Sequence, residues 1–468
     1  MRLEPIITVI QWTFLLYFTG FCGGYLILNI LSFVYLRRYV EERSLGSLPQ
    51  RYSGYEPQIS IIAPAYNESA TIAASIRSLL QLSYSEYEIV VVNDGSKDQT
   101  LQVLTREFGL VPFPEAYDYR LPTKAIRAVY YSTVHANLRV IDKENGGKAD
   151  ALNAGINLSR YPLVCCVDAD SILQRDSLQR VVQPFLDDPS TVACGGTVRV
   201  ANGCEVSGGF LVKIGLLTNW LALFQIIEYL RAFLFGRMGW SPLNAVLIIS
   251  GAFGLFHRDT IIAAGGYRHD TIGEDMELAV RLHRRLRDQK RRYRITFVPD
   301  PTCWTEAPED LRTLKTQRIR WQRGLLESLW AHRDLLCGRS AGVVGWLAFP
   351  FLVLFEAMAP IVEIFGYLIM TLGFGLGVVS AEAMGAFLIV AIGFGVLLSV
   401  SALLLEEVSF HVYPRPGHLV MLFVAAVGEN FGYRQLNAMW KLIGTYQWLR
   451  GKTAKWGDMT RTASWQSA

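Results

Sequence analysis

The sequence predicts an α/β domain set between membrane helices. Three observations lead there. Apolar residues make up 51% of the chain and concentrate near the N-terminus and after residue 341. Between them, short β-rich runs alternate with helical patterns, the mark of an α/β sheet. Acidic motifs fall where predicted strands end, which is where open α/β sheets hold their ligands.

The first apolar run, residues 6–36, exceeds the roughly 20 residues that a spanning helix needs. Arg37 and Arg38 follow it rather than precede it. That order argues against a cleaved signal and for an anchor, residues 1–36, with the middle of the chain on the cytoplasmic side of a cell membrane. After residue 341 come three further apolar stretches, 342–379, 384–405 and 418–449. The first contains Pro350 and Pro360, so it reads as an interfacial helix plus a span or as two short spans. The third is half polar. Segment 341–449 is therefore read as multi-pass and interfacial helices that form a channel. A basic tail over 450–468, with Arg450, Lys452, Lys455 and Arg461, favours a cytoplasmic end and an even number of crossings, against three clean stretches. Net charge is only +4, which gives no reason to expect a nucleic-acid partner. Seven scattered cysteines without a CxxC fit a reduced setting.

Within residues 55–335, strands are expected at 58–66, 88–94, 138–142 and 162–170, and helices at 69–82, 98–108, 148–159 and 175–187. The stretch 208–236 resembles a spanning helix. A single crossing there would put the acids at 168–170 and 273–275 on opposite sides of the membrane. Lys213, Gln225, Glu228 and Arg231 also interrupt it, so an amphipathic helix on the membrane or on the channel helices is expected.

Each motif has a bland reading beside the chemical one. Asp168 and Asp170 follow a buried-looking strand. A turn after Asp168 brings both to one hard cation, Mg²⁺ or Mn²⁺; otherwise Asp170 caps the next helix. Asp94, in NDG, sits at a strand end and suits a base or ribose, or is a plain turn. Gly146, Gly147 and Lys148 open a helix and suit an anion such as a diphosphate, while Asp150 reads as an acid favoured by the helix dipole. Glu274 and Asp275 begin a helix as dipole-favoured acids or as a general base; the base role requires burial or a neighbouring anion. Gln317, Arg320 and Trp321 share one helix face by their i, i+3, i+4 spacing. Arginine offers a fork for phosphate oxygens, and tryptophan a flat face for a sugar. Against this, Arg312, Lys315, Arg318 and Arg323 suit a helix anchored to lipid headgroups. The basic run 281–294 reads as a solvated face or a contact to anionic lipid.

In this order, NDG, GGKADALN, DAD, GED and QRIRW between membrane helices resemble the processive family 2 glycosyltransferases, such as cellulose, chitin, hyaluronan and poly-N-acetylglucosamine synthases. The resemblance implies a glycosyltransferase A-type, Rossmann-like fold. It implies a UDP-sugar donor, UDP-N-acetylglucosamine before UDP-glucose, with a growing polysaccharide as acceptor and export across the membrane. It places Asp94 on the uridine, Lys148 near the phosphates, and Asp168 and Asp170 on the metal–diphosphate. Asp275 is the base, and Arg320 offsets charge on the leaving group. Gln317, Trp321, Glu274, Ser250 and Gly251 lie by the acceptor. Accessory secretion subunits belong to the same expectation. A single N-terminal span and a chain ending soon after Arg450 depart from several members. Because QxxRW also occurs in glycolipid glucosyltransferases, transfer of one sugar to a lipid stays open, as does a catalytically dead binding component. Glu356, Glu363 and Glu429, acids in apolar surroundings, are expected along an exit path.

Overall fold

The computed structural model describes residues 4–44, 56–207, 209–338 and 341–451, so residues 452–468 of the expected basic tail lie outside the described residues. A ten-stranded mixed sheet forms the centre. Its strands are β1 (Ile59–Ala65), β2 (Tyr87–Asp94), β3 (Leu110–Pro112), β4 (Ile126–Ser132), β5 (Leu138–Lys143), β6 (Leu163–Val167), β7 (Ile172–Leu173), β8 (Thr191–Val200), β11 (Phe253–His257) and β12 (Arg294–Thr305), while β9 (Glu205–Ser207) and β10 (Phe210–Lys213) pair separately. The order is β3-β4-β5-β2-β1-β6-β11-β8-β12-β7.

Strands β5, β2, β1 and β6 run parallel, and β11 then pairs antiparallel with both β6 and β8. The parallel strands are runs of Val, Ile and Cys buried along their length, as expected when helices cover both faces. The chain leaves β1 for β2 on one side and returns to β6 on the other. A crevice opens at such a switch point beyond the strand ends, and the ends of β2 and β6 carry Asp94 and Asp168. All seven cysteines are free thiols, and Cys165, Cys166, Cys194 and Cys303 are buried in the sheet.

Helices α1 (Glu4–Ser44), α2 (Ile72–Leu80), α3 (Thr100–Phe108), α4 (Lys148–Leu158), α5 (Ser177–Asp187), α6 (Trp220–Leu230), α7 (Arg258–Ala264), α8 (Glu274–Asp288) and α9 (Leu311–Ala331) alternate with or follow the strands. The run 208–236 is not one helix. Its first part turns through Gly209, at φ +89°, into the β9–β10 hairpin. The helix starts only at Asn219, whose side chain accepts the Leu221 and Ala222 amides. Helix α6 then continues through a π-helical turn, Arg231–Arg237, and packs between the sheet and the later helices.

Helix α1 runs past residue 36 to Ser44, held there by an Arg37–Glu41 pair at 2.9 Å and by the Tyr39 hydroxyl on Asp300. Its Trp12–Glu41 portion and helix α12 (Ala381–Ser409) are long and apolar enough to cross a membrane. Between them, α10 (Val344–Ala357) and α11 (Ala359–Gly375) meet at a 42° bend and count as a third crossing if taken as one span. The break falls at Met358, with Pro360 in the first turn of α11, where proline needs no amide hydrogen. Helix α13 (Pro416–Gly428) is apolar but shorter, and α14 (Tyr433–Leu449) lies along α9. Ion pairs join the sheet domain to these helices: Arg199 with Glu406, both buried, and the half-buried Arg231 with the buried Glu429.

Candidate active site

Asp94, Lys148, Asp168, Asp170, Ser250, Gly251, Glu274, Asp275, Gln317, Arg320 and Trp321 all line one cavity of about 1530 Å³. Segments more than a hundred residues apart thus converge on one space. Its floor is the switch point of the sheet, and its far end reaches Phe21 and Tyr25 of α1 and Glu356 and Glu363 of the bent helix pair. Glu429 does not line it. That carboxylate is fully buried against Arg231 and Ser399, so it is a structural ion-pair partner and not part of an exit path.

Lys148 ties the acids together. Its ammonium lies 2.5 Å from Asp168 Oδ1 and 3.8 Å from Glu274 Oε1. Burial lowers its pKa, but the charges of Asp168 and Glu274 outweigh this and hold it above the ordinary lysine value. Glu274 opens α8 at 5% exposure. Burial is the largest influence on it. Lys148 opposes that and Asp275 adds to it, and the carboxyl is pushed up to about 7. Asp275 is fixed by two backbone amides, Gly251 N–H on Oδ2 at 3.0 Å and Met276 N–H on Oδ1 at 2.8 Å. A Cβ at Gly251 would stand 2.8 Å from Lys148 Nζ and 3.4 Å from Asp275 Oδ2, so a larger residue there would push on the lysine ammonium.

Strand β6 stops at Val167, and Ser171 N–H closes a turn on the Asp168 carbonyl at 3.0 Å. The chain then enters β7, so Asp170 caps no helix. Two carboxylates beside a turn form a hard-oxygen set, and among the described residues no group of three or more His, Cys, Asp or Glu is placed to hold an ion. With two carboxylates alone, an Mg²⁺-like ion would need substrate phosphates and water to complete its shell. The Lys148 ammonium on Asp168 marks the same place as one that attracts a cation.

The glycines of GGK do something other than wait for an anion. Gly146 and Gly147 N–H donate to Asp94 Oδ1 and Oδ2 at 3.0 and 2.7 Å, and Lys143 pairs with Asp94 at 2.5 Å. Asp94 therefore holds the loop that presents Lys148, through donors the sequence suggested for a diphosphate. Asp150 is likewise no simple dipole acid, because it pairs with Lys143 at 2.6 Å and accepts the Lys124 amide.

On α9, capped by Asp310, Gln317 is buried with Oε1 shielded from solvent and without a hydrogen bond, while Trp321 stays 42% exposed. Burial lowers the pKa of Arg320, against the charges of Glu274, Asp168 and Asp275. Arg318 and Arg323 are buried, so the lipid-anchor reading of these two is wrong. Arg318 donates to Glu228 at 2.6 Å, and Arg323 lies 3.6 Å from Glu327. The basic run 281–294 also turns inward in part. Arg281 binds Glu277 and the carbonyls of Ala264 and Gly266, and Arg285 binds that of Ala263.

Two features escaped the sequence reading. The end of β1 and the loop after it, Pro64–Thr71, line the cavity beside Asp94. Their position at a strand end is the signal that marked NDG and DAD. Arg237, on the π-helical turn, lines it too.

Two family models match the chain: "Glycosyltransferase like family 2" over residues 124–324 and "Glycosyl transferase family 2" over 60–113. The poly-beta-1,6-N-acetyl-D-glucosamine synthase of Staphylococcus epidermidis is 30% identical over 326 residues, 68% of this chain and 67% of that one. The chain belongs to glycosyl transferase family 2. The synthase of the same name from Staphylococcus aureus strain COL is 31% identical over 315 residues, 67% of this family 2 chain. The match spans 65% of the length of that S. aureus relative. Among solved structures, a mannosyltransferase from Pyrobaculum calidifontis in complex with GDP-Man and Mn²⁺ is 18% identical, covering 92% of this chain and 100% of that one, with a TM-score of 0.49.

Proposed function

We propose that this chain is a membrane-embedded, inverting glycosyltransferase that moves N-acetylglucosamine from its UDP donor onto a growing β-linked polysaccharide. Glucose is the second choice of sugar. The observation that carries the reading is the continuity of the cavity from the acid cluster at the sheet to Tyr25, Glu356 and Glu363 on the apolar helices. A site built for one small acceptor needs no such extension. A polymer that must leave through the membrane does, and Tyr25, Glu356 and Glu363 offer it polar groups among the apolar helices.

In this reading the acceptor hydroxyl attacks C1 of the sugar from the face opposite UDP. The new C1–O bond forms as the bond to the diphosphate breaks, its electron pair leaving with UDP, and the hydroxyl proton passes to Asp275. Gly251 and Met276 amides hold that carboxylate in one orientation, which is the positional requirement for a general base. Arg320 and Lys148 face the charge that builds on UDP, fixed cations in a partly water-excluded site. Asp168 and Asp170 would hold Mg²⁺ or Mn²⁺, which supplies further neutralisation of the diphosphate when bound. Gln317 and Trp321 seat the sugar just added. The domain lies on the cytoplasmic side, where nucleotide sugars are made, and lipid and accessory secretion subunits are its remaining partners.

The test is to incubate the purified full chain with a panel of UDP-sugars, measure UDP release, and size the product. Long polymer from UDP-N-acetylglucosamine supports the proposal. A single added sugar under excess donor refutes processivity, and retained UDP binding without release by any donor refutes catalysis.

A further inference from the structure

Arg237 ends the π-helical turn that carries α6 from the sheet towards the membrane helices. A π turn is wider than an α turn and recurs at functional sites. Here it brings the guanidinium to the cavity wall. Three features fix the group in place. Its Nε donates to the Ile248 carbonyl at 3.1 Å, and its Cζ lies 3.9 Å from the centroid of the Phe233 ring. Its Nη1 is shielded from solvent and has no hydrogen-bond partner. A buried cationic donor left unsatisfied is costly.

The surrounding charges say which side of the site Arg237 serves. Burial lowers its pKa to about 10, and the opposing influences are Asp275, Tyr229 and Glu356. Arg320 senses Glu274, Asp168 and Asp275 instead. Asp275, Arg237 and Arg320 line the same cavity. Arg320 comes from α9 with Gln317 and Trp321, and Arg237 from the π turn that leads to the apolar helices, whose Glu356 lines the cavity too. Its Nη1 is a donor still without an acceptor. An oxygen acceptor satisfies such a donor, and a saccharide in the cavity supplies hydroxyl and acetamido oxygens.

We propose that Arg237 is an acceptor-binding residue, donating hydrogen bonds to the terminal saccharide held between Asp275 and Glu356. This rests on the glycosyltransferase reading above. It assigns Arg237 to the sugar chain and not to the nucleotide diphosphate, so its loss acts on acceptor affinity.

The test uses the full chain in detergent or nanodiscs with UDP-N-acetylglucosamine and N-acetylglucosamine oligosaccharides as primers. Arg237→Lys keeps the charge and loses the fork; Arg237→Met keeps the packing length and loses both. The KM for primer is expected to rise about tenfold or more, the loss of one charged hydrogen bond, and further in Arg237→Met than in Arg237→Lys. UDP affinity, measured by calorimetry, is expected to stay within about twofold, which also reports that the site is folded. An unchanged primer KM in both variants, or a loss of UDP affinity equal to the loss for primer, overturns the assignment. Wild-type protein that transfers no sugar from any donor overturns the glycosyltransferase reading and this inference with it.

Discussion

The Arg318 guanidinium lies over the Trp321 ring, with its Cζ 4.4 Å from the ring centroid. Arg318 is fully buried and donates to Glu228, whose carboxylate also accepts the Tyr433 hydroxyl at 3.1 Å. Three helices, α6, α9 and α14, thus meet behind one indole. One face of Trp321 is occupied from within the protein, so a sugar reaches only the other. Replacing Trp321 with Ala is expected to shorten the product while leaving UDP binding near normal. Arg318→Met frees the ring without removing it, and should cost about 0.5–2 kcal/mol in primer kcat/KM, about twofold to thirtyfold. Product sizing and primer kinetics check both; unchanged polymer from Trp321→Ala removes its acceptor role.

Asp275→Asn keeps an oxygen that can accept the Gly251 amide but removes the proton acceptor. UDP release is expected to fall by about 10²–10⁴-fold, the usual worth of a positioned base. UDP binding in the presence of Mg²⁺ is expected to be retained. Near-normal turnover in this variant would exclude Asp275 as the base.

Glu274 gives the site a pH signature. Its folded pKa of about 7 lies above the ordinary 4.5. In the window between those two values the folded protein holds this proton more tightly than the unfolded chain does. The folded state thus binds more protons there, and stability falls as pH rises through the window. Glu274→Gln removes that contribution, so the fall in melting temperature from the acid to the neutral end of the window is expected to be smaller in the variant. Melting curves across the window decide it. An identical slope in both proteins would mean that Glu274 ionises normally.

The range of each interaction decided whether the sequence disclosed it. Asp168 and Asp275 were legible because each sits at the end of a strongly periodic element, and those elements depend on local patterning. Asp94 was found for the same reason. Its partners were not, because Gly146, Gly147 and Lys143 meet it only through the pairing of β2 with β5. Arg318 and Arg320 are two residues apart on one helix, and nothing local says which of them faces α14. Arg237 was hidden by the π turn, whose extra residue per turn shifts it out of the 3.6-residue period. Strand β10 was absorbed into a helix because only Lys213, Gly215, Thr218 and Asn219 separate its apolar residues from those of α6.

The acid and acceptor elements are held together by two glycines, and this makes the last prediction the most severe. Gly273 precedes α8, and Gly324 lies within α9. A Cβ on either would stand 2.9 Å from backbone atoms of the other. Gly324→Ala sets two effects in opposition. Alanine favours a helix interior by about 1 kcal/mol over glycine. Overpacking against rigid backbone costs about 1–3 kcal/mol, and no side chain is present to swing aside. The clash should win, driving α9 from the start of α8 and separating Trp321 from Asp275. Gly385→Ala is the matched control, since it lies in a helix with nothing within 4 Å of the new Cβ. A lower melting temperature and a loss of sugar transfer are expected for Gly324→Ala, with neither for Gly385→Ala. If Gly324→Ala were as stable and active as the control, the close approach of these two helices would not be what assembles the site.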